Sequence, residues 1–280
     1  MTVYFDRVTS VLVSDELGFA RRWGNLRVSF TADYERSSKP ATAKIEVYNL
    51  SPASRKWVQT EGKLVQLNAG YTGLSGVVFR GDIRRVSVQP KGVDTVTVIE
   101  AGDGEAAVME SRMNITLGPG TTTLDVLREI SNTMGLTVGH VDVPAAPRVL
   151  LNGQTMAGPA KQYLDDLAQE FDADWWVADG QLQIVSSQEP LPGSILLVSK
   201  DTGLVGSPTA VTKKQNNRTR VVGVKWSQLL RPDLRPGNLV QLEADEFRGL
   251  YVIRKLRFVG DSGYDNAYYC TVEATERVLG

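Results

Sequence analysis

The chain has 280 residues, of which 42% are hydrophobic and 22% charged, a composition typical of globular proteins that excludes a disordered or collagen-like chain. Its 31 Lys and Arg residues nearly balance 32 Asp and Glu residues, for a formal net charge of -1, so no global positive field favours dedicated nucleic-acid binding. The single cysteine, Cys270, excludes an intramolecular disulfide and a cysteine-rich zinc site.

The N-terminal region, MTVYFDRVTSVLVSDELGFARRW, lacks a basic start followed by an apolar block. No stretch of the sequence reaches the ~20 apolar residues that a membrane-spanning helix requires. We therefore expect a chain that is made in the cytoplasm and does not insert into a membrane.

The first elements along the chain are predicted strands and one short helix. LRVSFTADYER, from Leu26, alternates as a half-buried strand does, and so does AKIEVY, in which Ile45 and Val47 share one face. Ser51 and Pro52 then fit the N-cap and the first position of a helix.

The next predicted strand is LVQLNA, residues 64–69. Val65 and Leu67 share the predicted inner face of this strand, and Gln66 and Asn68 share the other face. GVVFRGDIRRVSV and VTVIEAGD come next and alternate in the same way, with glycine-containing turns between the runs.

The middle of the chain changes to a helical period. TTLDVLREISNTMG and AKQYLDDLAQEFDA each carry one apolar stripe, and Asp179-Gly180 between two β-rich runs predicts a two-residue hairpin turn. The first stripe comprises Leu124, Leu127, Ile130 and Met134, and the second Leu164, Leu167, Ala168 and Phe171. The sequence therefore predicts a small α/β insert that ends near the LPGS segment at Leu191.

The last part of the chain repeats the first. LVQLEA, residues 239–244, matches LVQLNA at an offset of 175, and its polar face carries Gln241 and Glu243. GLYVIRKLRFVGD and YCTVEATE match the next two runs, both at an offset of 173. We predict a mainly β (α+β) fold, with antiparallel β-barrel domains at residues 1–105 and 193–280 flanking the α/β insert at 106–192.

Residues able to carry catalysis are few. His140 is the only histidine and has no serine or cysteine motif nearby, so neither a nucleophilic triad nor a multi-histidine metal site is expected. We predict no catalytic residue, no cofactor and no metal.

One alternative function keeps a chemical site. Asp172 and Asp174 precede Trp175 and Trp176, and an acidic pair beside indoles on which a sugar could stack would suit a peptidoglycan-binding or cell-wall-degrading protein. The same residues also fit a helix end followed by an aromatic-rich strand.

Several runs of the chain together resemble one family. AKIEVYNLSP, LNAGY (67–71), VFRGDI (78–83) and IEAGDG (99–104) resemble the first domain of baseplate hub proteins from contractile-tailed bacteriophages, and RPGNLVQL (235–242) with GLYVIRKL (249–256) resembles the late region of that family. The order of the runs carries the resemblance, since each is strand and turn chemistry. Type VI secretion spike proteins are related but add a long repetitive β-helix.

The resemblance implies a structural, non-enzymatic protein of the virion tail baseplate with two tail-tube-like barrels in each chain. A homotrimer would present six such barrels in a ring, joining the hexameric tail tube to the trimeric spike and surrounding a channel for the tape-measure protein and DNA. Polar strand faces would then line the channel without binding DNA specifically. The candidates are Gln66, Asn68, Gln241 and Glu243.

Overall fold

The structure is a computed structural model that describes residues 6–142, 149–215, 218–263 and 267–277. It is mainly β with few helices, as predicted. The strands are β1 Arg7–Ser14, β2 Ala20–Trp23, β3 Val28–Glu35, β4 Thr42–Tyr48, β5 Leu64–Tyr71, β6 Leu74–Lys91, β7 Asp94–Gly102, β8 Arg112–Leu117, β9 Thr137–Asp142, β10 Gln154–Pro159, β11 Ala173–Ala178, β12 Gln181–Ser186, β13 Leu196–Ser199, β14 Leu204–Gln215, β15 Arg218–Leu229, β16 Leu239–Glu243, β17 Arg248–Asp261 and β18 Tyr268–Glu276. The helices are α1 Pro52–Thr60, α2 Glu105–Glu110, α3 Thr123–Thr133 and α4 Ala160–Glu170.

The chain forms two compact units. The first comprises residues 1–35, 42–102 and 190–280, and the second comprises residues 36–41 and 103–189. Both predicted β domains therefore contribute to one compact unit, which we call the β unit, and the other is the α/β unit. The predicted domain bounds after residues 105 and 192, and the closure of each β half into a barrel, stay predictions.

The β unit is built on one 13-stranded sheet. Its main path runs β14-β15-β18-β17-β3-β4-β7-β6-β5-β1-β2, and β16 with β13 branches from β17. Every pair of neighbouring strands in this sheet is antiparallel except β13 and β16, which are parallel. The sheet thus contains two halves, β1–β7 and β13–β18, joined by the pair β3–β17.

The predicted repeat is present as two three-stranded meanders. β5, β6 and β7 pair in order in the first half, and β16, β17 and β18 pair in order in the second. The pairs Val65 with Gly81 and Val240 with Tyr251 agree with the predicted offset of 175 between β5 and β16 when β6 and β17 correspond at an offset of 170.

The predicted offset of the second strand is wrong by three residues. A β-bulge inserts Arg84 into β6 opposite Ala101 and Glu100, and a matching bulge inserts Arg254 into β17. The two strands therefore correspond at an offset of 170 and not 173, so that IRR (83–85) matches IRK (253–255). The glycine-led runs used for the prediction match in sequence but occupy different places in the strands.

Local signals in the β unit are confirmed where capping chemistry fixes them. The Ser51 side chain accepts from the Ser54 N–H at 3.2 Å, and Pro52 begins α1, as the sequence predicts. The predicted inner faces are also confirmed, because Val65 and Leu67 are buried in β5, as are Val240 and Leu242 in β16.

The α/β unit contains two small sheets, β8 with β10 and β11-β12-β9, in which β12 and β9 are parallel. Thr122 and Asp125 form a capping box at the start of α3. Asp179 and Gly180 have φ angles of 53° and 76°, and they connect β11 to β12 as the predicted hairpin turn. One predicted stripe residue is misplaced, because Leu124 is 41% exposed while Val126 is buried instead.

No helix among the described ranges combines the length and the apolar character needed to cross a membrane.

Candidate functional site

The candidate site is the polar face of the repeated strands β5 and β16. In β5, Gln66 Nε2 donates to Asn68 Oδ1 at 3.3 Å, and both side chains are half-buried. In β16, Gln241 Nε2 donates to Glu243 Oε1 at 2.7 Å, and both side chains are exposed. The two halves thus carry similar polar pairs, Gln with Asn and Gln with Glu, each two residues apart on one face.

The polar face continues onto the neighbouring strands, because register partners in a sheet share a face. Arg80 lies opposite Gln66, and Lys44 lies opposite Glu100. Lys225 lies opposite Glu273 in the second half, with Nζ 3.0 Å from the carboxylate. The face therefore carries charges of both signs.

Sequence reasoning missed these charged residues. Glu100 and Glu273 correspond at the offset of 173 that the sequence already indicated, and they could have been found from it. Lys44 and Lys225 are 181 residues apart, and only the sheet register relates them.

Each repeated meander has an arginine at its bulge, and the residue across from that arginine differs. In the first half, the guanidinium of Arg84 occupies the space that a side chain at Gly102 would take. In the second half, Arg254 Nε donates to Thr275 Oγ1 at 3.0 Å. Gly102 and Thr275 correspond at the offset of 173, so the two halves accommodate the corresponding arginine in different ways.

The pair β3–β17 joins the halves over seven register partners, from Lys255 with Glu35 to Asp261 with Ser29. We call this pairing the seam. At one end, Arg27 donates to both carboxylate oxygens of Asp261, at 3.0 and 2.8 Å. Burial raises the pKa of Asp261, but the hydrogen bonds from Arg27 and from the Gly263 N–H outweigh it and lower that pKa below its ordinary value.

Tyr268 gives the halves a second connection. Its hydroxyl donates to the Val8 carbonyl at 2.8 Å and accepts from the Gly70 N–H at 2.9 Å, and its backbone carbonyl accepts from the Tyr71 hydroxyl at 3.1 Å. The ring packs edge-on against Phe30 at 6.2 Å between centroids. The sequence carries no signal for these contacts, which lie about 200 or more residues apart along the chain.

The acidic and aromatic residues of the alternative prediction do not form an open platform. Trp175 and Trp176 are 3% and 1% exposed, so neither indole face is available to stack on a sugar. Trp175 Nε1 donates to Asp165 at 2.8 Å, and the Asp174 carboxylate lies 2.9 Å from Nε of the buried Arg36. Trp175 thus belongs to the hydrophobic core of the α/β unit, and both carboxylates are bound to buried partners.

Asp172 and His140 have structural positions. Asp172 has a φ of 48° in the turn after α4, where aspartate tolerates a left-handed backbone. The backbone N–H of His140 donates to Gln183 Oε1 at 2.7 Å. Within the ranges that the structure describes, no group of three or more His, Cys, Asp or Glu side chains is arranged to hold a metal ion.

Comparison with known proteins gives one family match and several similar folds. The model of the family described as baseplate hub gp41 matches residues 25–274. A search of curated proteins finds no match.

Three solved structures have similar folds. The 43 kDa tail protein of prophage MuSo2 from Shewanella oneidensis has a TM-score of 0.67 at 8% identity, covering 96% of this chain and 97% of that one. The tail protein from Neisseria meningitidis MC58 has a TM-score of 0.66 at 12% identity, covering 97% of each chain. The E. coli c3393 protein, a type VI secretion component described as structurally similar to bacteriophage T4 tail proteins gp27 and gp5, has a TM-score of 0.62 at 14% identity, covering 89% of this chain and 73% of that one.

Proposed function

The chain belongs to the baseplate hub gp41 family and is a structural protein of the phage tail baseplate in the virion, and we propose that it acts there as a trimeric ring. Three copies contribute six β halves, arranged with quasi-six-fold symmetry around a channel. The ring joins a hexameric tail tube on one side to a trimeric spike on the other.

The duplicated meander is the observation that carries this proposal. β5-β6-β7 and β16-β17-β18 share strand order, pairing direction and a bulged arginine. Two similar halves in one chain allow three copies to offer six similar surfaces to a six-fold partner while keeping three-fold symmetry toward another. A single half per chain would match only one of these symmetries.

The polar faces of β5 and β16 are our candidates for the channel lining. On each face a hydrogen bond joins the two polar side chains, Gln66 to Asn68 in β5 and Gln241 to Glu243 in β16. Such a face offers no excess of positive charge and would bind DNA weakly, because contacts of Lys and Arg with phosphates supply nonspecific affinity. A weakly binding wall suits the passage of the tape-measure protein and DNA. In this proposal the protein has a structural role, connecting the tube to the spike around the channel, and no catalytic one.

The molar mass in solution tests the ring. We expect light scattering on a size-exclusion column to give about three times the chain mass of 30.6 kDa, and end-on electron micrographs to show six lobes. A monomer at every accessible concentration, both alone and when co-expressed with the spike protein, would overturn the proposal. A dimer or a tetramer would also contradict it.

A further inference from the structure

β17 uses one of its edges for two different partners. Its first part, Arg248–Val252, pairs with β16, and its second part, Lys255–Asp261, pairs with β3 across the seam. The seam buries the inward side chains of the second part completely, since Leu256 is 1% and Phe258 0% exposed. An edge that would otherwise be open is thus covered by a strand from the other half.

β6 has the same two parts, but only the first of them has a partner on this edge. Leu74–Asp82 pairs with β5, whereas the segment from Arg85 to Lys91 pairs only with β7 among the strands that the structure describes. At the offset of 170, this segment is the counterpart of Lys255–Asp261. Val88 takes the place of Phe258 and is 38% exposed. The segment therefore keeps an apolar residue at a position that its own chain leaves uncovered.

β14 is the counterpart of β3. β3 lies two strands from β7 through β4, and β14 lies two strands from β18 through β15. When the registers are followed through β7-β4-β3 and through β18-β15-β14, Thr31–Asp33 corresponds to Thr209–Val211 at an offset of 178. Ala32 of β3 is fully buried at the seam, whereas its counterpart Ala210 is exposed. Within the described ranges, β15 is the strand that pairs with β14, which leaves its other edge open.

We propose that β14 of one copy pairs antiparallel with the Arg85–Gln89 part of β6 in the next copy, in the register of the seam. The proposal rests on the ring proposed above and names the surface that builds it. In this register Ala210 lies opposite Val88, as Ala32 lies opposite Phe258. Thr209 lies opposite Gln89, and Val211 lies opposite Ser87.

This pairing is head-to-tail, because each copy offers one β14 edge and one β6 edge. Such contacts close into a ring when the rotation between copies allows it. In a ring of three, three seams lie within chains and three lie between them. The seams between chains are shorter, because Pro90 lies opposite Pro208 and neither has an N–H, whereas the internal seam pairs Gly260 with Phe30 at that place. Both open edges, which are a liability in an isolated chain, are then covered.

The two seams differ in the charged residues that lie opposite each other. On the polar side of the internal seam, Lys255 lies 2.9 Å from Glu35 and Arg257 lies 3.6 Å from Asp33. At the place of Arg257 and Asp33, the seam between copies has Ser87 and Val211, and at the place of Lys255 and Glu35 it has Arg85 and Lys213, so no opposite charges pair at either place. Backbone hydrogen bonds and apolar contacts therefore carry the pairing between copies, while charge pairs add to the internal one.

Cross-linking between different chains tests the proposed register. Val88→Cys is made in one tagged copy and Ala210→Cys in another, so that a heterodimeric product can arise only between chains. The native Cys270 does not interfere, because it is fully buried and burial raises the pKa of its thiol to about 12. The matched control replaces Val88→Cys by Val93→Cys, which lies on the exposed turn after β6.

With a short bismaleimide, we expect at least a tenfold excess of the Val88–Ala210 heterodimer over the Val93–Ala210 control. A yield no greater than that of the control overturns the proposed seam. The mass of the wild-type protein in the same buffer separates the two proposals. If the wild type is trimeric and the excess is absent, the ring stands and the surface is wrong; if the wild type is monomeric with the spike protein present, the ring fails too.

Discussion

The second parts of β6 and β17 occupy the same place in the two halves of the β unit but have different surroundings. Phe258 is fully buried because β3 covers that edge of β17, whereas Val88 is 38% exposed on the corresponding edge of β6. Both strands alternate apolar and polar residues. Alternation thus specifies which face of a strand is apolar, but a neighbouring strand decides whether that face is buried.

The largest expected effect is the loss of stability when the buried residue of this pair, Phe258, is truncated. Phe258→Ala removes a fully buried ring and is expected to lower the free energy of unfolding by about 3–5 kcal/mol. Val88→Ala in the isolated chain is expected to change it by at most about 0.5 kcal/mol, because little area is lost from a core. Urea denaturation of both variants at low protein concentration measures the difference. Equal losses at the two positions would contradict the difference in burial between them.

A second comparison concerns the bulged arginines. Arg84 lies where Gly102 leaves space, and Arg254 hydrogen bonds to Thr275. The first arrangement depends on an absent side chain, and the second depends on a hydroxyl. The same bulge therefore tolerates different neighbours, provided that the guanidinium has either room or an acceptor.

Substitutions at the two neighbours sharpen this comparison. Gly102→Ala places a Cβ against the Arg84 guanidinium and is expected to cost about 0.5–1.5 kcal/mol, because this flexible side chain must leave its rotamer. Thr275→Ala removes one hydrogen bond and is expected to cost about 0.5–1.5 kcal/mol. Both values come from denaturant titrations.

The control is a double-mutant cycle with Arg84→Ala. If crowding is the cause, Gly102→Ala should cost much less in that background, because the overlapping group is gone. An unchanged cost would assign the loss to the backbone of Gly102 and not to Arg84.

Local chemistry made much of the fold predictable. The cap at Ser51, the turn at Asp179 and Gly180, and the inner faces of β5 and β16 each depend on residues close in sequence, and each is confirmed. The polar pairs at Gln66 and Gln241 were recognisable for the same reason, and their place in a channel wall stays a prediction.

The features that sequence missed depend on contacts distant along the chain. The three-residue error in matching β6 with β17 arose because the glycine-led runs are similar in sequence but occupy different places in the two strands, which only the sheet register reveals. The seam joins Ala32 to Phe258, and no local signal links residues so far apart. The buried Trp176 failed as a binding platform because composition indicates aromatic residues but not their exposure.

The smallest expected effect concerns the charged end of the internal seam. The folded pKa of Asp261 lies below its ordinary value of 3.8, so the ion pair with Arg27 stabilises the protein fully above the unfolded pKa. That contribution is lost as the pH falls through the folded pKa. Because the Arg27 side chain is 44% exposed, solvent screening limits the effect to about 1 kcal/mol or less.

Asp261→Asn measures this contribution directly. The variant should be less stable than the wild type at pH 7, and the difference should shrink as the pH falls below 3.8, because the wild-type carboxylate then becomes protonated as well. Asp33→Asn is the matched control from the same seam, since its ion pair with Arg257 is longer, at 3.6 Å, and both side chains are about half exposed. It should cost less at pH 7, because exposed pairs at this distance contribute little. If the stability difference between wild type and Asp261→Asn stayed constant from pH 7 to pH 3, the packing of the carboxylate, and not its charge, would account for the stability lost in the variant.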